Sequence, residues 1–269
     1  MTALLPIRHV EKPWGMDRLP APFTAPEGKR IGEIWFEPCA ALDDLLVKYI
    51  FASEKLSVQV HPSDAQTLAA GAGRQGKEEC WLVIDAQPGA AIGIGFNAPV
   101  DAAAMRAAAI DGSIEHLLAW YPVRPGDFFY IPANTVHAIG GGVSLIEVQQ
   151  NSDITYRLYD YGRPRPLHLD EGIAVARGEP HSAALRRAVP DGQSLALVAG
   201  PLFRLDQVCA ADAAAWLAGF RDAPVLVIPR SGTARVAGET VSAGECAVAP
   251  GPVAIQLDDA ATCLIAQPG

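Results

Sequence analysis

Ser57-Val58-Gln59-Val60-His61-Pro62 is the stretch from which the rest of the chain can be read. It completes an apolar, alternating run that begins at Leu56, and alternation with a period of two marks a half-buried strand. On a strand, Gln59 and His61 stand two apart and so point to the same face. Glu79 opens a second strand-like run, Cys80-Trp81-Leu82-Val83-Ile84, and His137 follows a third, Phe128-Phe129-Tyr130-Ile131-Pro132. Two imidazoles, one carboxylate and one amide oxygen, brought by three neighbouring strands, suit a divalent metal that keeps an open position. Zn2+ is the first choice for such a donor set, with Fe2+ or Mn2+ next. Taken singly, His, Gln and Glu more often fill surface or structural roles, so the surrounding sequence has to single these four out.

Working outward, residues 31–36 and 45–51 read as further strands, the second of them buried. Ser63-Asp64 is a cap for a short helix that Gly71-Ala72-Gly73 ends. Residues 99–119 are rich in Ala and Leu at helical spacing and predict a short helical insertion between strands. His116 lies in it and reads as a surface or packing residue. Val143 to Gln150 is again strand-like, with Leu145, Glu147 and Gln149 on one face. Residues 151–165 are dense in polar and aromatic groups, and 177–193 read as a polar linker.

The last part of the chain repeats an earlier outline. Val241, Gly244, Glu245 and Pro250 fall in step with Val123, Gly126, Asp127 and Pro132, each pair 118 residues apart. The same offset carries His137 onto Ile255, and no histidine lies beyond His181. The expected architecture is therefore mainly β, with two related barrels. Residues 1–176 would form the metal-binding barrel, 177–193 the linker, and 194–269 a second barrel without metal.

A formal net charge of −9 argues against nucleic acid or an anionic membrane surface as the main partner. It leaves room for a small phosphorylated ligand, which needs only a few local cations. The N-terminal residues Met1 to His9 lack the basic start and long apolar core of a signal peptide. The five scattered cysteines, Cys39, Cys80, Cys209, Cys246 and Cys263, form no CxxC pair and are odd in number. Reduced thiols in the cytoplasm are the expectation.

Four strings together resemble one family. They are Leu56 to Pro62, Gly76-Lys77-Glu78-Glu79-Cys80-Trp81, Pro125 to Pro132, and Glu147 to Arg157. The glycine, proline and histidine spacing over 126–137 resembles the second motif of the cupin superfamily. The set in order resembles type I mannose-6-phosphate isomerases, from about residue 10 to 175. The resemblance implies two cupin-type jelly-roll β-barrels with a helical insertion in the first, and one Zn2+ per chain on Gln59, His61, Glu79 and His137. It implies a hexose phosphate substrate, and places Ser57, Lys77, Glu147 and Arg157 in its pocket. The chain is shorter than larger members, and its second half matches only in generic β pattern.

Aldose–ketose isomerisation moves a proton between C1 and C2 through an enediolate, which needs a base beside the carbon and an electrophile on the oxygen. A cation held by a single carboxylate and neutral ligands keeps net positive charge and can be that electrophile. Arg157 would stabilise the enediolate. Lys77, two before Glu79, would reach phosphate or a sugar hydroxyl. Glu147 is a candidate base, or an ion-pair partner of Arg157. Asp153 would orient Arg157, unless it only builds a turn. Arg163 and Arg165 read equally as phosphate clamps or surface cations, and His9, His168 and His181 as structural or solvated. Two readings compete: a non-haem iron oxygenase on the same scaffold, and a sugar-phosphate-binding cupin without catalysis.

Overall fold

The computed structural model describes residues 3–269, so the first two residues of the N-terminal segment lie outside it. Twelve strands build the first barrel: β1 Ile7–Met16, β2 Ile31–Phe36, β3 Leu45–Ala52, β4 Val58–Val60, β5 Glu79–Ala86, β6 Ala91–Phe96, β7 Leu118–Pro122, β8 Asp127–Ile131, β9 His137–Ile139, β10 Val143–Gln150, β11 Tyr156–Tyr159 and β12 Arg186–Ala188. They form a seven-stranded sheet in the order β1-β2-β3-β10-β5-β8-β12 and a five-stranded sheet in the order β11-β4-β9-β6-β7. The pairings within both sheets are antiparallel. Eight strands follow: β13 Leu195–Ala199, β14 Phe203–Cys209, β15 Val225–Ser231, β16 Thr233–Val236, β17 Glu239–Ser242, β18 Ala247–Ala249, β19 Ile255–Leu257 and β20 Thr262–Pro268. These make a five-stranded sheet, β13-β14-β20-β15-β18, and a three-stranded one, β17-β16-β19.

Both β3 and β10 are buried along all eight residues, which happens only when each face of a sheet is covered. Their alternate side chains go to different cores. Val47, Tyr49, Phe51, Ile146 and Val148 pack with Phe203, Leu205, Ile228 and Leu264 of the second half. Ile50, Ala52 and Leu145 instead point into the first barrel, beside Trp14, Trp81 and Ile92. One sheet thus walls off the first barrel's interior and docks the second barrel on its back.

The repeat seen in the sequence is present in the fold. Strands β9 and β19 begin at residues 137 and 255, and β10 and β20 at 143 and 262, so the 118-residue offset holds to within one residue. The turns ahead of β8 and β18 use Gly126 and Gly244 at φ of 91° and 89°, a left-handed conformation open to glycine. The central sheet order is also repeated, β3-β10-β5-β8 against β14-β20-β15-β18.

The helices are short. Helix α1, Asp64–Ala69, starts in a capping box of Ser63 and Gln66. Helices α2, Ala102–Asp111, and α3, Ile114–Leu117, lie in the stretch where helical spacing was read. Helix α4, Leu169–Val175, packs on β11, and α5, Ala213–Leu217, on β14. The segment 177–193 is more than the polar linker its composition suggests, because it carries β12, which pairs with β8 at the edge of the first large sheet. Among the described residues no helix is long and apolar enough to cross a membrane.

Candidate functional site

Strand register lays out the site before any side chain is considered. Across the five-stranded sheet, Arg157 of β11 faces Gln59 of β4, and Gln59 faces His137 of β9. Across the seven-stranded sheet, Trp35 of β2, Lys48 of β3, Glu147 of β10 and Trp81 of β5 are successive partners. Directly opposed residues share a face. Two rows of polar and aromatic side chains therefore meet inside the first barrel, and a cavity of about 270 Å³ lies between them.

Under the cavity wall, one ligand atom each from His61, Glu79 and His137 lies within 4.8 Å of the others. All three residues are almost fully buried. Glu79 Oε1 is 3.4 Å from His137 Nε2 and 3.7 Å from His61 Nε2, and Gln59 Nε2 is 3.3 Å from His137 Nε2. The ring orientations are fixed from behind, by Ile154 O at 2.8 Å from His61 Nδ1 and Thr135 O at 2.9 Å from His137 Nδ1. A carbonyl oxygen only accepts, so each Nδ1 carries the proton and each Nε2 presents a lone pair. Burial, with Lys77 and His137 nearby, pushes His61 well below its ordinary 6.5, and burial draws His137 down to about 4. Both imidazoles are thus held in the neutral form that binds metals.

Glu79 Oε1 is buried without a hydrogen-bond partner, and it faces those two lone pairs. Three acceptors converging in a dry place repel one another unless a cation joins them. Tetrahedral ligands on bonds of about 2.1 Å stand about 3.4 Å apart, and the two Glu79–histidine spacings are close to that. The residues present fit a small divalent metal. Without one, burial and the neighbouring Glu147 raise Glu79 to about 7.

Gln59 and Lys77 connect this cluster to the cavity, since both line it. Lys77 Nζ is 2.6 Å from Glu79 Oε2, 3.2 Å from His61 Nε2 and 3.7 Å from Glu147 Oε1. Burial alone would lower its pKa, but Glu147 and Glu79 outweigh burial and raise it. Glu147 is held on both oxygens: Oε1 accepts from Lys48 at 3.1 Å and Oε2 from the Trp81 indole at 3.0 Å. Burial acts to raise its pKa, yet Lys77 and Lys48 prevail and bring it to about 2. Lys48 also donates to Gln149 Oε1 at 2.5 Å, and burial lowers its pKa.

Several expected partnerships turn out differently. Glu147 forms its ion pairs with Lys48 and Lys77, while Arg157 sits on the opposite sheet and donates from Nη1 to Pro166 O at 2.7 Å. Asp153 lines the cavity but makes no bond to Arg157. His168 is structural, as its Nδ1 accepts from the Arg157 backbone N–H. Arg165 lines the cavity with Nε and Nη2 on Asp160, both at 2.6 Å, whereas Arg163 turns outward to Asp160, Glu54 and the Lys55 carbonyl. Ser57 donates to Gln59 Oε1 at 3.1 Å. The row Lys12, Glu33, Trp35 and Lys48 was not foreseen. Its one sequence signal is a lysine set inside an otherwise apolar eight-residue strand.

Fold and site together define a double jelly-roll β protein whose first barrel holds a buried His-Glu-His cluster beneath a cation-lined cavity. Solved structures that superpose on this fold include phosphomannose isomerases. The mannose 6-phosphate isomerase of Bacillus subtilis superposes with a TM-score of 0.74 at 21% identity over 98% of both chains, and a putative mannosephosphate isomerase of Archaeoglobus fulgidus with 0.72 at 18%, again over 98% of both. In sequence, the chain is 42% identical over 167 residues to the mannose-6-phosphate isomerase of Streptococcus mutans, covering 59% of this chain and 52% of that one. It is 47% identical over 137 residues to mannose-6-phosphate isomerase ManA of Bacillus subtilis, covering 49% and 43%. The chain thus spans about half the length of the curated relatives it matches, or less. No family model matches it.

Proposed function

We propose that this protein is a metal-dependent aldose–ketose isomerase that interconverts mannose 6-phosphate and fructose 6-phosphate. The observation that carries the reading is the convergence of His61 Nε2, His137 Nε2 and an unpartnered Glu79 Oε1 next to a cavity lined by Lys12, Lys48, Lys77, Arg157 and Arg165. The names of the sequence relatives support the same substrate. One metal ion per chain is bound by these three residues and Gln59. Turning the Gln59 amide over exchanges its N and O, giving the oxygen to the ion and the NH2 to Ser57. Zn2+ matches the two neutral imidazoles and single carboxylate. When bound, the ion supplies positive charge to polarise an oxygen of the open-chain sugar.

The chain's own residues do the rest. Arg157 and Arg165 take the phosphate. Arg157 is braced by Pro166 and has a buried Nε with no partner, and Arg165 is pinned on Asp160 with its remaining donors uncommitted. Lys77, kept charged between two carboxylates, donates to a sugar oxygen where negative charge develops. Glu147, with a pKa near 2, is too weak a base to take a proton from carbon at neutral pH and instead braces both lysines. Residues 1–176 carry this site, 177–193 connect, and 194–269 form a second barrel with no comparable ligand set. The five unpaired cysteines support a cytoplasmic setting.

The test is a coupled assay from mannose 6-phosphate to fructose 6-phosphate on the full chain. Chelation abolishes turnover, Zn2+ restores it, and His137→Ala lowers it by at least about a hundredfold. Turnover that survives in His137→Ala sinks the reading. Oxygen consumption would favour an iron oxygenase, and binding without exchange of the C2 proton a non-catalytic cupin.

A further inference from the structure

A cavity that takes a sugar phosphate has to recognise the polyol as well as the phosphate. Arg157 and Arg165 serve the phosphate and Lys77 donates to a sugar oxygen, so recognition of the hydroxyl protons calls for fixed acceptors. Three carboxylates line the cavity: Glu33, Glu147 and Asp153. Glu147 is already engaged by two lysines and an indole, and Asp153 is an exposed loop residue. Glu33 is different. It is 8% exposed and stands on β2, in the wall opposite Arg157. Its Oε2 accepts from the Trp35 indole at 2.5 Å, and its Oε1 is 3.2 Å from Lys12 Nζ. A carboxylate offers about four lone-pair sites, and these contacts use two.

Glu33 is also held still. The Trp35 ring that fixes it lies between Lys48 Nζ and the Arg8 guanidinium, each 4.4 Å from the ring centroid. A rigid, largely buried acceptor with spare lone pairs is costly in an empty cavity and useful against a row of O–H donors. It repels phosphate, which fixes the direction of the ligand: the phosphate lies toward Arg157 and Arg165, and the hydroxyls lie toward β2.

We propose that Glu33, fixed by Trp35 and Lys12, accepts hydrogen bonds from a sugar hydroxyl of the substrate and is a specificity-determining residue of the cavity. This rests on the isomerase reading for its substrate class. It makes discrimination between a hexose phosphate and its deoxy analogues a property of Glu33, because an analogue lacking the hydroxyl leaves the carboxylate partly unpaired.

The experiment compares wild type with Glu33→Gln, which keeps an oxygen for the Trp35 indole. Mannose 6-phosphate and its 3-deoxy and 4-deoxy analogues are measured by kcat/KM and by calorimetric Kd, with inorganic phosphate as a competitor. Expected is a loss of about 30- to 100-fold for mannose 6-phosphate. The loss shrinks to less than about threefold for one deoxy analogue, and phosphate competition changes by less than about twofold. Equal losses for all three sugars assign Glu33 a purely structural role and overturn the proposal, as does no loss. If wild type binds mannose 6-phosphate without interconverting it, the isomerase reading fails and the Kd series alone decides Glu33. If wild type does not bind it, the proposal fails too.

Discussion

The buried histidines make a statement about stability as well as about metal binding. In the metal-free protein His137 has a pKa of about 4 against an ordinary 6.5, and His61 is also well below it, while Glu79 is raised from 4.5 to about 7. Between pH 4.5 and 6.5 unfolding therefore takes up two protons on the histidines and releases one from Glu79. The net uptake from these three groups is about one proton, and His181, lowered by burial, adds in the same direction, so stability falls as pH falls, by roughly 1.4 kcal/mol per unit or more. Below pH 4.5, Glu147, depressed to about 2, adds to the loss in the same direction. Urea unfolding with chelator present at pH 5, 6 and 7 measures this slope, and stability that grows toward pH 5 would refute it. At this scale the sequence was legible where a residue type has few uses. His61, Glu79 and His137 stood out through the strings around them, since imidazoles and carboxylates taken singly more often fill surface or structural roles. Glu33 and Lys48 could not, since their meaning depends on which strand lies beside which, and that register is set by tertiary pairing.

Among the elements, strands with one dominant period were read directly, and so were the turns that glycine makes. The 118-residue echo became a structural fact because Gly126 and Gly244 occupy the same left-handed turn ahead of equivalent strands. The strand inside the linker was not legible for a physical reason: Arg186–Ala188 is short and polar, and it is a strand only because the free edge of β8 accepts it. The repeated turn supports a paired prediction. Gly244 and Gly238 share a φ of 89°, but a Cβ at Gly244 would come within 2.6 Å of the Pro22 ring, while one at Gly238 meets nothing within 4 Å. Gly238→Ala then costs only the backbone term, about 1 kcal/mol. Gly244→Ala costs that plus a clash with a stiff ring, about 1–3 kcal/mol more. Equal midpoints for the two variants in chemical unfolding would show that the Pro22 loop yields freely.

For the whole molecule, the decisive feature is that one apolar layer belongs to both barrels. Tyr49, Phe51 and Phe128 from the first half share a cluster with Phe203, Leu205 and Leu264 from the second. The chain start adds to this, because the Leu5 N–H donates to Cys246 O and the Val248 N–H to Ala3 O, joining the segment ahead of β1 to β18 and the residue before it. Separating the halves would expose that layer at about 25 cal/mol per Å², so neither half gains by unfolding alone. The two should therefore melt together. Trp81 is fully buried in the first barrel and Trp216 sits on α5 in the second, which gives one probe for each. With Trp14, Trp35 and Trp120 replaced by Phe, and either Trp81 or Trp216 also replaced in turn, the two remaining indoles should report coincident urea transitions with equal midpoints. Phe203→Ala, which truncates a large side chain with no exposure in the shared layer, should move both midpoints down together, for a stability loss of about 3–5 kcal/mol. Midpoints that part company, with the Trp216 signal lost first, would mean that the second barrel is an independently folding unit carried by the first. The site in the first barrel would then keep its metal affinity through the earlier transition, whereas coupled unfolding makes loss of bound metal coincide with both indole signals.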